Sequence, residues 1–288
     1  MSAPNNRDTI CQQYRTDKDL LIRQAIHDKY TVPQVDYFGW VLDSIEWRGG
    51  ERVLDVGSAV GVYHAPLMAI NPQAEYIALD LSMGMLGKNP ASRRLQADAL
   101  HLPFPDNHFD VVMANHMLYH LPDIEAALAT FKRVLKPDGV LLVATNSVQT
   151  MPELQVLMRR AILLLARTGS TQIQPPVPAS DSFALENGTR QLARHFYAVM
   201  RRDLPGKLVL TESQPILDYI GSTRLLREPQ LPDGVSWDDV MTIMSQQVDH
   251  LISHLGELVI NKLTGVLVAT DDGDFIQPFQ QIKADAMA

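Results

Sequence analysis

The chain has 288 residues, 46% of them hydrophobic and 20% charged, which suits one elaborated, well-cored domain and excludes a disordered or fibrous chain. A formal net charge of −8, with no cluster of five or more Lys and Arg, argues against a nucleic-acid partner. The single Cys11 excludes an internal disulfide, the start MSAPNNRDTICQQY lacks a signal-peptide core, and the longest greasy run, AILLLA at 161–166, is far too short for a membrane span; a cytoplasmic protein is expected.

In chain order, residues 8–47 are helical in pattern, and Arg23, His27 and Tyr30 fall at i, i+4 and i+7 on one face. That stripe reads either as a lid over a ligand or as a solvated face with a satisfied histidine. From 50 to 146, short apolar runs alternate with helical stretches: RVLDVG, AEYIALD, RRLQAD, FDVVMANH and GVLLVATN are predicted strands. Near-continuous Val/Leu/Ala runs suit strands buried on both faces, so the expected fold is α/β with a doubly wound, mostly parallel sheet. LPDIEAALATFKRVLKPDGV is a predicted helix, with acids in its first turn, Lys132, Arg133 and Lys136 in its last, and Pro137 to Gly139 as its stop.

After Asn146 the alternation breaks. MPELQVLMRRAILLLARTG, ESQPILDYIGS and SWDDVMTIMSQQVDHLISHLG are predicted helices, GTRQLARHFYAVM is a predicted helix running towards a strand, and the Pro-rich QPPVPAS lies between it and the first. LVINKL and GVLVATD follow as a strand pair turning at Leu263–Gly265. The expected organisation is a single domain over 1–288, with a lid at 8–47, a core at 50–146, a helical cap at 147–256, final strands at 257–272 and a tail at 273–288.

RVLDVGSAVGVY carries the chemistry. A dinucleotide fingerprint starting at Gly57 would need glycines at 59 and 62, where Ala59 and Val62 stand, so a pyrophosphate is disfavoured. Gly57 and Gly61, with Asp55 just before them, suit a ligand without phosphates. Asp80 ends the second strand 23 residues beyond Gly57, where a carboxylate can accept both hydroxyls of a ribose. Asp98 follows the third strand and can accept from an adenine amino group. Each Asp alone reads equally as a cap or turn former; their order and spacing favour a cationic adenosine compound.

VLDVGSAVG, YIALDLSMGML, LQADALHLPFPDNHFDVVMANHMLYHLPD and FKRVLKPDGVLLVAT together resemble the motif series of class I S-adenosylmethionine-dependent methyltransferases, nearest the ubiquinone/menaquinone-biosynthesis-like branch of small-molecule enzymes. The resemblance covers about residues 50–146 and implies a Rossmann-like, seven-stranded sheet. It implies that Asp55, Gly57, Ser58, Ala59 and Gly61 bracket the methionine end of S-adenosylmethionine, that Asp80 holds the ribose, and that Leu81 and Met85 pack beside the adenosine. Asp98 and Ala99 would read the adenine edge, Asn115 and His116 would line the pocket, and Tyr14 and Arg23 would reach the cofactor from the lid. Ala59 departs from the family's Gly-x-Gly-x-Gly; its methyl group is tolerable with ordinary backbone angles, and otherwise displaces the loop or weakens binding.

The same resemblance places the acceptor beside NHMLYHLPD, where His116, Tyr119 and His120 would share one face of a helical turn and supply a base. Positioning alone can carry much of an in-line methyl transfer, so a base is not required. Met158, Leu163–Leu165, Phe183, Phe196 and Tyr197 read as an apolar acceptor wall or as plain core. The implied activity is methyl transfer to the oxygen, nitrogen or carbon of a small hydrophobic or aromatic metabolite, releasing S-adenosylhomocysteine. The alternatives are a non-methylating reaction such as cyclisation, or cofactor binding without catalysis. No metal-ligand pattern is present in the sequence, and the oligomeric state is open, a homodimer included.

Overall fold

A computed structural model describes residues 6–166 and 174–272; the tail at 273–288 lies outside them. The strands are β1 (Thr31–Val32), β2 (Arg52–Val56), β3 (Glu75–Asp80), β4 (Arg93–Gln96), β5 (Phe109–Met113), β6 (Leu135–Asn146), β7 (Ala198–Leu210) and β8 (Leu258–Thr270). The helices are α1 (Arg7–Gln13), α2 (Lys18–Tyr30), α3 (Tyr37–Leu42), α4 (His64–Ile70), α5 (Met83–Leu86), α6 (Ile124–Val134), α7 (Pro152–Leu165), α8 (Leu185–Leu192), α9 (Gln214–Gly221), α10 (Arg224–Arg227) and α11 (Trp237–Leu255).

The described strands form one sheet in the order β1-β7-β8-β6-β5-β2-β3-β4. β2 to β6 pair in parallel, β8 runs antiparallel to both β6 and β7, and β1 runs antiparallel to β7. This is the doubly wound, mostly parallel, Rossmann-like sheet, with β1 making eight strands rather than seven. Its middle is apolar on both faces: Val53 and Leu54 on β2, and Leu141 and Leu142 on β6, are fully buried. One core packs β2, β5, β6 and β8 against α6 and α8, a second packs β2, β3 and β5 against α3 and α4, and a third unites α7, α9 and α11 with the ends of β7 and β8.

Three local readings are corrected. The helix predicted over 121–140 ends at Val134, and Lys136, expected in its last turn, lies in β6 with its ammonium on Asp110. The Asp123 side chain accepts from Ala126 N–H and fixes its start. The helix expected over 188–200, running towards a strand, ends at Leu192, and the strand already begins at Ala198 and continues to Leu210; Pro205 and Gly206 hide its pattern.

No turn exists at Leu263–Gly265. β8 runs through it without a break, pairing Leu263 with Pro205 and Gly265 with both Asp203 and Thr145. A Cβ on Gly265 would sit 2.4 Å from the Arg202 carbonyl oxygen, so this glycine permits close strand packing rather than a turn.

Candidate active site

Because β2, β3, β4 and β5 are parallel, their carboxyl ends share one sheet edge, and the turns that follow them open into a cavity of about 990 Å³. Asp55, Gly57, Ser58, Ala59, Asp80, Leu81, Met85, Asp98, Ala99, Asn115 and His116 all line it, as do Tyr14 and Arg23 from α1–α2. Sequence reasoning thus brought together residues spread over a hundred positions. Gly61 is the exception: it is not among the lining residues, and a Cβ there would meet Asn89 and Pro90 at 2.6–2.7 Å. Its role is to let the loop pass Asn89 at a left-handed φ of 80°.

The loop after β2 is held from several sides. Gly57 has φ +69°, and a Cβ there would be 2.8 Å from Met117 Cβ, so glycine allows the next turn to approach. Ala59 has φ +46°, so its backbone angles are not ordinary and its methyl group strains the loop. The loop is nonetheless anchored: Ala59 N–H donates to Asp80 Oδ2 at 2.9 Å, and Asn89 Nδ2 donates to the Ala59 carbonyl at 3.1 Å and to Ser58 Oγ at 3.2 Å. Asp80 Oδ1 accepts from Ser82 N–H at 2.8 Å, and Ser82 Oγ donates to the Tyr14 carbonyl at 2.8 Å, which ties the N-terminal segment to the site.

Three carboxylates stand along the edge. Asp55 is 2% exposed and accepts from Tyr76 Oη at 2.5 Å. Burial, reinforced by the charge of Asp80, pushes its carboxyl up to about 7 against the opposing Tyr76 bond. Burial also raises Asp80. Asp98 Oδ1 accepts from Leu100 N–H at 3.0 Å, and its Oδ2 pairs with Arg7 at 3.2 Å, a partner from α1 that the sequence did not indicate. Asn115 Oδ1 accepts from Ala144 N–H at 2.7 Å, leaving its buried Nδ2 without a partner among the described residues.

His116, Tyr119 and His120 all line the cavity, though not on one helical face. Only Leu118–His120 make a turn, a 3-10 one, and His116 precedes it at φ +53°. His116 Nε2 meets Tyr37 Oη at 2.6 Å, and Tyr37 Oη is 3.4 Å from Thr264 Oγ1. His120 Nε2 meets Tyr14 Oη at 2.8 Å, while Arg23 donates to the same hydroxyl at 3.4 Å and to the Ser222 carbonyl at 3.1 Å. A hydroxyl has one proton, so with Arg23 as donor the Tyr14 hydroxyl donates to Nε2, and His120 carries its own proton on Nδ1. That Nδ1 is buried with no partner among the described residues.

Burial, and then the charge of Lys262, lowers His116 to about 4; burial, and then Arg23, lowers His120 to about 3. Both imidazoles are neutral near pH 7. Burial raises Tyr14 and Tyr119 and pushes Tyr37 up to about 12, so the phenols stay protonated.

Of the two readings of the apolar residues, the core reading holds for Met158, Phe183 and Phe196. Leu163, Leu164 and Tyr197 are exposed, and Leu165 packs on the third core. Tyr37, Met117, Tyr119, Tyr219 and Leu226 face the cavity instead, with Lys262 and Arg227. Of the N-terminal stripe, Arg23 and His27 face the cavity, whereas Tyr30 turns away to donate to Glu212 at 2.9 Å. Among the described residues no group of three or more His, Cys, Asp or Glu side chains is placed to hold a metal ion, and no helix is long and apolar enough to cross a membrane.

Residues 54–143 match the family model described as a methyltransferase domain. The chain is 37% identical over 120 residues to the demethylmenaquinone methyltransferase of Staphylococcus carnosus, covering 39% of this chain and 50% of that protein. It is 30% identical over 162 residues to the demethylmenaquinone methyltransferase of Corynebacterium efficiens, covering 54% of this chain and 70% of that protein. The chain therefore spans about half to 70% of the length of these relatives. Among solved structures it is similar to the YcgJ protein of Bacillus subtilis, with TM-score 0.52 and 18% identity over 82% of this chain and 98% of the other, a likeness of fold.

Proposed function

Because this chain belongs to the class I S-adenosylmethionine-dependent methyltransferases, we propose that it moves a methyl group from S-adenosylmethionine to a small hydrophobic or aromatic acceptor and releases S-adenosylhomocysteine. The observation that carries the proposal is the row of Asp55, Asp80 and Asp98 along one sheet edge, in one cavity with the lid residues Tyr14 and Arg23. The buried groups fit this cofactor. The Asp55 carboxyl and the unpartnered Asn115 amide are polar groups that the protein leaves for a ligand with its own charges and hydrogen-bonding groups.

Asp55, with the backbone of Gly57, Ser58 and Ala59, would hold the methionine end, and Arg23 and Tyr14 would answer its carboxylate. Asp80 would hold the ribose, Leu81 and Met85 would pack on the adenosine, and Asp98 and Ala99 would meet the adenine. When bound, the sulfonium supplies an already activated methyl group. The protein's own task is then to hold the acceptor in line with it and to exclude water. Neutral His116, fixed by Tyr37, would take the proton that a hydroxyl or amine acceptor gives up, whereas His120 would act only through Tyr14, whose hydroxyl would pass its own proton to Nε2 as it takes the acceptor's. Residues 8–47 act as the lid in this account, 50–146 as the cofactor core, and the region 147–256 with the strand over 257–272 completes the acceptor side. The demethylmenaquinone in the relatives' name supports a quinone-type, ring-bearing acceptor and a biosynthetic role, and the reading includes a cytoplasmic location.

The test is incubation with S-adenosylmethionine and a panel of small acceptors, followed by mass spectrometry. One added methylene in the acceptor together with released S-adenosylhomocysteine is the expected result. Conversion of an acceptor at unchanged mass would favour the non-methylating alternative, and cofactor binding without any turnover would favour a binding protein.

A further inference from the structure

Lys262 and Arg227 line the same cavity, and each is a cation without an ion-pair partner among the described residues. Among the described residues no carboxylate lies within 4.0 Å of either. Lys262, on β8, donates to His27 Nδ1 at 3.3 Å and to Thr31 Oγ1 at 3.2 Å, both neutral acceptors. Arg227, at the end of α10, donates from Nη1 to the Met158 thioether at 3.4 Å, a weak acceptor for a guanidinium with five donors. Burial lowers both below their ordinary values, Lys262 to about 8.

Lys262 adjoins an aromatic surface: His27, which accepts from it, lies edge-on to Tyr219 at 5.9 Å between ring centres, and Tyr219 and Arg227 line the same cavity. The acids facing this group are Asp28 on α2, which acts on Lys262, and Asp181, which acts on Arg227; neither forms an ion pair with it. His27 and His116 are held neutral by burial and by Lys262, so they add no competing charge. Two part-buried cations with no ion-pair partner among the described residues are costly unless an anion arrives to match them.

We propose that the methyl acceptor is an organic acid whose anionic oxygens, of a carboxylate or a phosphate, are bound by Lys262 and Arg227. This rests on the reading of the Asp55, Asp80 and Asp98 edge as the cofactor site. It makes the cavity electrostatically two-ended, with acids for the cationic cofactor and bases for an anionic acceptor. An aromatic acid also suits a cavity whose lining includes the rings of Tyr119, His27 and Tyr219.

The experiment is calorimetric titration of the full chain, saturated with S-adenosylhomocysteine, against aromatic carboxylic acids, aryl phosphates and the neutral methyl ester of each acid. At least one acid is expected to bind about tenfold or more tightly than its ester, and the carboxylate and phosphate arms identify the anion. Lys262→Gln and Arg227→Gln should each remove most of that preference while leaving affinity for S-adenosylhomocysteine unchanged. Lys262→Arg, which keeps the charge, should retain it. Equal binding of acids and esters, no binding by any acid, or a loss in Lys262→Gln that affects acid and ester alike would overturn the proposal. Failure of S-adenosylhomocysteine itself to bind would instead overturn the cofactor assignment on which the proposal rests.

Discussion

The Tyr14 hydroxyl lies 2.8 Å from His120 Nε2, joining the segment after α1 to the turn after β5 across 106 positions of sequence. The contact sets the imidazole's orientation and its tautomer. Tyr14→Phe should therefore lower kcat about tenfold or more with a smaller change in KM, and cost about 1 kcal/mol of stability. Steady-state kinetics and urea unfolding of the variant check both; an unchanged kcat would remove His120 from proton transfer.

The part-buried histidines predict an acid-sensitive fold. In His120 the folded value, about 3, lies below the unfolded value near 6.5, so below that pH the unfolded chain binds more protons. This contribution to stability is full above about pH 6.5 and is lost as pH falls towards 3. His120→Gln should be destabilised relative to the parent at pH 7 by roughly 1–3 kcal/mol less at pH 4.5 than at pH 7, read from urea midpoints across the range.

Asp55 acts in the opposite sense. Its folded value of about 7 is raised above the unfolded value, so its contribution is present at low pH and is lost as pH rises from about 4 through 7. Without ligand, Asp55→Asn should gain stability relative to the parent over that window, by roughly 1–3 kcal/mol at pH 8. The same variant should bind S-adenosylmethionine more weakly. Thermal unfolding at pH 4 and pH 8 and a cofactor titration test the two halves of the prediction.

Ala59 at φ +46° is a strained residue in a functional loop. Ala59→Gly should relieve the left-handed penalty, with a net gain of about 0.5–1 kcal/mol after the added flexibility of the unfolded chain. Because Ala59 N–H still reaches Asp80, cofactor affinity should be unchanged or modestly improved. Equilibrium unfolding and calorimetry measure both quantities.

The parts of the site legible in the sequence are those set by local chain geometry. Asp55, Asp80 and Asp98 sit at or just beyond strand ends, and once the strands are read as parallel those ends must share an edge. Tyr37, Lys262 and Arg227 come from α3, β8 and α10, and no local spacing says that these elements meet at the cavity. A signal for Lys262 was present: it is a lone cation in the run LVINKLTGVLVA, whose later residues are fully buried. The turn read at Leu263–Gly265 obscured it, because glycine's service to close packing against the Arg202 carbonyl looks the same in sequence as its service to a turn. The choice between wall and core was not legible for a related reason: Met158, Phe183 and Phe196 satisfy the hydrophobic effect in the core, and composition alone cannot distinguish core from pocket.

The central claim is that the carboxyl edge of the sheet binds the cofactor through Asp80, and one calorimetric comparison tests it most directly. S-adenosylhomocysteine titrated into the parent chain should bind saturably at one site per chain. Asp80→Ala, folded to the same extent by circular dichroism, should bind about tenfold to a hundredfold more weakly. Equal affinity in the two proteins, or no binding to the parent, would contradict the account.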